Sequence, residues 1–211
     1  MNTSKVLIET LTVGQMAEHC YLVMDEQSKE LFIIDPGDDA SYIAEHIEKL
    51  QGKPTAVLAT HGHFDHVLAA NELCLIYAIP FYMKKDDQFL LDRMSDTAKH
   101  FLGHGVVEAP PTISKSFFDG ETIAFGGNML EVHDSPGHTP GSVFFYLNSE
   151  HTIFAGDTIF ENGAVGRTDF SYSEPLKLSE SVGKILSYPP ETIVLSGHGG
   201  MTTVLEEKKY H

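Results

Sequence analysis

Four side chains able to bind a metal ion stand within six residues, His61-Gly62-His63-Phe64-Asp65-His66, directly after residues 55–59, a short apolar run that reads as a buried strand. Helical periodicity resumes at Val67. Such a junction cannot vanish into an apolar core, because three imidazoles and a carboxylate need water, one another or a cation. Imidazole and carboxylate are the ligands that a borderline cation such as Zn²⁺ accepts at about 2.0–2.2 Å. Gly62 is read as the bend that lets the rings of His61 and His63 converge. A solvated loop with Asp65 as a helix cap would leave three histidines without a task. The fold must therefore bring a strand end and a helix start to one polar edge.

Three later positions repeat the arrangement. His138 lies in D-S-P-G-H-T-P-G-S, Asp157 in F-A-G-D-T and His198 in L-S-G-H-G-G, each following a short apolar strand. Taken singly, His138 and His198 are metal ligands or solvated turn histidines, and Asp157 is a ligand or a turn cap. Together they give four strand ends, each delivering a histidine or carboxylate, and strand carboxyl ends are where layered α/β folds place their sites. Asp35, in D-P-G after another strand, is either a turn residue or a carboxylate that orients a ligand histidine. Arg167, in G-R-T-D-F, either pairs with Asp169 at the surface or uses its planar fork to grip a substrate carboxylate.

The rest of the chain supports an α/β reading. Strands are expected at residues 6–13, 20–24, 31–34, 55–59, 79–83, 121–125, 129–133, 143–147, 152–155 and 193–196. Helices are expected after Asp38 or Asp39 as cap, over 67–76, in two short pieces between 86 and 102, and over 175–186. Helix-after-strand units in both halves, separated by β-meanders, suggest two mixed β-sheets flanked by helices, a four-layer αβ/βα sandwich in one domain over residues 1–211. With 42% hydrophobic and 21% charged residues, and no apolar run near the ~20 residues of a membrane span, disordered and transmembrane classes are excluded. A net charge of -16 disfavours nucleic acid as a partner. Only two of the fourteen cations are arginines, Arg93 and Arg167. Cys20 and Cys74 have neither metal nor redox spacing. The first fifteen residues lack a leader's continuous apolar run, so a cytoplasmic location is expected. Oligomeric state stays open.

H-x-H-x-D-H followed by G-H-T-P-G-S, G-D-T and a last G-H resembles the metallo-β-lactamase superfamily. Within it the chain is most similar to the glyoxalase II-like hydroxyacylglutathione hydrolases. The resemblance covers essentially the whole chain and implies a dinuclear centre, zinc first, with iron or manganese also acceptable. It implies His61, His63 and His138 on one ion, Asp65, His66 and His198 on the other, and Asp157 bridging. The implied activity is hydrolysis of a small-molecule thioester such as S-lactoylglutathione by a metal-bridging hydroxide, with Asp65 also catalytic and Arg167 binding substrate. Persulfide dioxygenases, which use one iron on the residues matching His61, His138 and Asp157, resemble the chain too and are the alternative. The chain looks like the short members that lack the helical C-terminal domain of true glyoxalase II. No cysteine stands where Asp157 does, so antibiotic hydrolysis is not expected.

Overall fold

Strand β3 (Glu30–Ile34) is buried on both faces, and its alternation sets out the layers. Leu31 and Ile33 point to one side, against Ile43 and Ile47 of helix α1 (Ala40–Leu50). Phe32 and Ile34 point to the other, into a second apolar cluster containing Phe125, Val132, Phe145 and Phe154. A strand covered on both faces reads as a near-continuous apolar run, as this one does. The computed structural model describes residues 5–106 and 108–211. Met1–Ser4, the start of the segment read as lacking a leader, and Val107 lie outside the described residues.

Two six-stranded sheets face each other. In the first, β1 (Val6–Val13), β2 (Glu18–Asp25) and β3 run antiparallel, and β3, β4 (Lys53–Leu58), β5 (Phe81–Tyr82) and β6 (Ile113–Lys115) run parallel. In the second, β7 (Thr122–Phe125), β8 (Asn128–Asp134), β9 (Val143–Leu147) and β10 (Thr152–Gly156) are antiparallel neighbours. Beyond them β11 (Ile193–Ser196) pairs parallel with β10 and antiparallel with β12 (Thr202–Thr203). Helices α1, α2 (Phe64–Val67), α3 (Ala70–Tyr77), α4 (Gln88–Leu91) and α5 (Met94–Leu102) accompany the first sheet, and α6 (Pro175–Leu186) and α7 (Val204–Glu207) cover the second. This is the expected four-layer αβ/βα sandwich. None of the described helices is long and apolar enough to cross a membrane.

Differences from the sequence reading are local. Asp39 does hold the N-cap of α1, but in the left-handed region (φ 54°) and without a side-chain cap bond; the Asp38 carboxylate accepts from the Asp39 N–H instead, at 2.7 Å. The helix expected over 67–76 is two, α2 and α3. Strands β6 and β12 and helix α7 are too short to carry a period and were not anticipated.

The sheets are joined near the site by polar bonds as well as by the core. Tyr21 Oη donates to the Ser196 carbonyl at 2.6 Å, and the His19 N–H donates to the Gly197 carbonyl at 2.8 Å. The beginning of β2 thus holds the loop that carries His198. Truncating Phe32, 2% exposed and packed 5.0 Å from the Phe125 ring, removes apolar volume between the sheets. Phe32→Ala should lower the unfolding free energy by about 3–5 kcal/mol, read from denaturant midpoints at constant slope.

Candidate metal centre

Every expected ligand follows the carboxyl end of a strand. His61 comes three residues after β4, His138 four after β8, Asp157 directly after β10 and His198 two after β11. The parallel directions of β8, β10 and β11 put three of these ends on one edge of the second sheet, facing the ends of β3 and β4. A register shift between Phe154 and Gly156, with Gly156 at φ 49°, immediately precedes Asp157. A bulge at this point re-aims the next side chain.

The structure brings all seven donors together. His63 Nδ1 lies 3.1 Å from His61 Nε2 and 2.9 Å from His138 Nε2. His198 Nε2 lies 3.4 Å from Asp65 Oδ2. Asp157 stands between the groups, Oδ2 3.5 Å from His138 Nε2 and Oδ1 3.3 Å from His66 Nε2. Ligands about 2.1 Å from one tetrahedral ion are roughly 3.4 Å apart, so these spacings suit coordination. Two groups, His61–His63–His138 and Asp65–His66–His198, each keep their donor atoms within 4.8 Å of one another and are able to hold a metal ion. The donor chemistry also fits a cation. His66 Nε2 and Asp157 Oδ1 are sealed from solvent, and neither makes a hydrogen bond despite their proximity. A shared cation satisfies both at once.

The other ring nitrogen of four histidines is held by the protein. His66 Nδ1–H donates to Asp35 Oδ2 at 3.1 Å, and His61 Nδ1–H to Thr60 Oγ1 at 3.0 Å. Thr60 Oγ1 donates in turn to Asp35 Oδ2 at 2.6 Å, and the Thr60 N–H to Asp35 Oδ1 at 2.7 Å. Asp35 sits at φ 49°, a conformation costly for a residue other than glycine, with its side chain held by these bonds. His138 Nδ1–H donates to the backbone carbonyl of Arg167 at 2.9 Å, and His63 Nε2–H to Tyr172 Oη at 2.9 Å. Such bonds fix tautomer and ring plane, leaving the inward nitrogen free to ligate.

Burial pushes His61 well below its ordinary pKa, with the neighbouring imidazoles His66 and His63 adding to the effect, and burial likewise takes His63 down to about 3. Both are neutral at pH 7, as ligands must be. For His66, burial opposes the charge, but Asp157, Asp35 and Glu18 outweigh it and hold the pKa well above normal. For Asp157, burial is outweighed by His66, His61 and His138, and the carboxylate stays ionised.

Several residues of the site were not anticipated. Glu18 is buried behind His66, its Oε1 3.5 Å from Nδ1, and burial raises its pKa well above normal. It opens β2 two residues before the strand expected there. Tyr172 gives no sequence signal. Asp87, in the polar run K-K-D-D, looks solvated but is fully buried. Its carboxylate accepts from Gly62 N–H at 2.9 Å, Gly141 N–H at 2.7 Å and Thr139 Oγ1 at 2.6 Å, tying the His61–His63 loop to the His138 loop. Burial raises its pKa in spite of these bonds. Gly62 is also needed for this approach, since a Cβ there would lie 2.9 Å from Asp87 Cβ. At Gly141 a Cβ would meet Asp87 Cγ at 2.7 Å.

A cleft of about 440 Å³ opens over the donors, walled by Leu90, Arg93 and Phe101 on one side and Arg167, Phe170 and Tyr172 on another. The polar stretch between 86 and 102 thus forms a wall of the site. Arg167 is half exposed and pairs with Asp169 through Nε and Nη2, both at 2.6 Å, so the surface pair foreseen for it is present at the cleft rim. Asp35 reaches the site.

Residues 13–198 match the metallo-beta-lactamase superfamily model. The chain belongs to this superfamily. Among superfamily relatives, hydroxyacylglutathione hydrolase GloC of Haemophilus influenzae is 32% identical over 206 residues, covering 96% of this chain and 95% of its own. The crystal structure of the B3 metallo-beta-lactamase BLEG-1 superposes with a TM-score of 0.88 at 31% identity, over 96% of this chain and 97% of that one. TTHA1623, solved in a di-iron-bound form, gives 0.86 at 33% identity over 96% and 98%. Superfamily membership makes this a hydrolase-type metalloprotein fold.

Asp87→Asn keeps the volume but turns an amide N–H₂ toward one of its three donors. It should cost about 1.5–3 kcal/mol of stability and lower the metal retained after dialysis. Unchanged melting and unchanged metal content would remove Asp87 from the support of the site.

Proposed function

We propose that this chain hydrolyses a small-molecule thioester, of the S-lactoylglutathione kind, at a centre of two divalent ions. The observation that carries the reading is the two-sided position of Asp157, one oxygen toward His138 and the other toward His66. His61, His63 and His138 would hold one ion and Asp65, His66 and His198 the other, with Asp157 within reach of both groups. Zinc suits these donors, and iron and manganese are also accepted by histidine and aspartate. Divalent ions held there would supply a water of lowered pKa, from about 15.7 toward about 7, and Lewis-acid polarisation of a carbonyl oxygen.

The chain's own groups do the rest. Burial disfavours the Asp65 charge, but the bond to His198 and the nearby His66 outweigh it, so Asp65 is an ionised acceptor at neutral pH. It takes the proton of the attacking water. As the water oxygen forms the new C–O bond the C–S bond breaks, and the departing thiolate takes the proton that Asp65 accepted, which frees the thiol and restores the carboxylate. A thiolate leaves without a strong acid behind it, in keeping with the scarcity of acids on the cleft walls. Arg167 offers its Nη1 end, left free by Asp169, to a carboxylate on the substrate. The name of the Haemophilus relative supports a glutathione thioester. A persulfide dioxygenase would use one iron on His61, His138 and Asp157, and oxygen uptake on glutathione persulfide separates it from the hydrolase.

Metal analysis of protein equilibrated with excess zinc or iron should give two ions per chain, falling to about one in Asp65→Ala. S-lactoylglutathione should be hydrolysed, with nitrocefin as the β-lactam control. A ceiling of one ion insensitive to Asp65→Ala, with oxygen uptake on glutathione persulfide, would replace the hydrolase by the dioxygenase.

Arg167→Ala should raise KM and leave kcat nearly unchanged on S-lactoylglutathione. Because the guanidinium is half exposed, about 1.5 kcal/mol, roughly tenfold in kcat/KM, is the expected loss. Loss of kcat at constant metal content would move Arg167 into the reacting centre.

A further inference from the structure

Fourteen cations face thirty acids in this chain, and its only two arginines line the same cleft. They occupy different situations. Arg167 is already held by Asp169. Arg93 forms no ion pair among the described residues; the adjacent Asp92 accepts instead from Gln88 Nε2 at 2.9 Å. Its guanidinium carbon lies 4.9 Å above the Phe89 ring and 5.7 Å from that of Tyr172. Stacking on rings fixes the plane of a guanidinium and leaves its N–H edge open.

The rings connect the two arginines. Phe89 meets Tyr172 edge-on at 5.2 Å, and Tyr172 stacks on Phe170 at 5.2 Å and 16°. Arg167 lies 4.3 Å over Phe170. In the middle of this ridge Tyr172 Oη receives the His63 N–H, so the ridge touches the donor cluster at its centre and carries a cation at each end. Burial pushes the Tyr172 hydroxyl up to about 12, and it stays neutral.

We propose that Arg93 is a second anion-binding side chain and that the cleft takes a thiol carrier with two separated negative groups, one for each arginine, across the Phe89–Tyr172–Phe170 ridge. This rests on the thioesterase reading for the reaction but not for the anion. A guanidinium without an ion pair, set beside two aromatic rings in a strongly acidic protein, keeps its fork for a ligand from outside.

The test compares S-lactoylglutathione, whose carrier bears two carboxylates, with N,S-diacetylcysteamine, a thioester without charge, on the metal-loaded full chain. In wild type the anionic ester should be preferred. Arg93→Ala should reduce that preference about tenfold, mainly through KM, and Arg93→Lys should restore only part of it. Arg93→Ala combined with Arg167→Ala should lose more than either alone. Equal losses on both esters would make Arg93 a packing residue of the ridge and overturn the proposal, as would an unchanged preference. If wild type hydrolyses neither ester, the thioesterase reading fails. Calorimetric titration with glutathione and with N-acetylcysteamine then decides Arg93 alone: weaker binding of glutathione only, in Arg93→Ala, upholds the anion site, and equal binding in both proteins overturns it.

Discussion

Burying five imidazoles and two carboxylates within a few ångströms of one another is the constraint around which this fold is arranged. Desolvation works against every charge in the cluster, and the imidazoles depress one another. The protein answers with directional bonds from behind. Asp35 and Thr60 hold His61 and His66, the Arg167 carbonyl holds His138 and Tyr172 holds His63. Each bond engages the outward nitrogen and turns the inward one toward the other donors. The cluster thereby sets the neutral imidazoles of His61 and His63 and the cation-favouring surroundings of His66 around the ionised Asp157, a composition suited to divalent cations.

Two sheets are required for this arrangement because the supports come from both. The first sheet supplies the Asp35 turn and the His61 loop, the second His138, Asp157 and His198. The bonds from Tyr21 and His19 to the β11–His198 turn lock their relative height. Asp87 does the same from the cleft wall, with three acceptor contacts that span two ligand loops. A shift of one sheet against the other would separate these partners before it disturbed the apolar interface.

What could be read in the sequence follows from where information is local. The seven donors were legible because each sits in a short, glycine-flanked segment after an apolar strand, and the layers because helix-after-strand units occur in both halves with β-meanders between them. Asp87 was illegible, since a carboxylate in K-K-D-D carries no local mark of burial and its three donors lie 25 to 54 residues away. Glu18 was hidden by a strand that begins earlier than its apolar residues do. Tyr172 reaches His63 from 109 residues along the chain, a pairing that no period or spacing encodes. Gly62 carries a second reason that the sequence does not show: the space it leaves is filled by Asp87.

The carbonyl of Arg167 carries one further implication. Its side chain leads out to the cleft rim while its main chain fastens His138, so a single residue belongs to two parts of the machine. Selection for a different carrier can replace the guanidinium freely, because the peptide oxygen is supplied by any amino acid. Insertions or deletions in the same loop have no such liberty, for they would turn a ligand ring. Change in what this enzyme class accepts should therefore proceed here by exchange of side chains on a loop of fixed length.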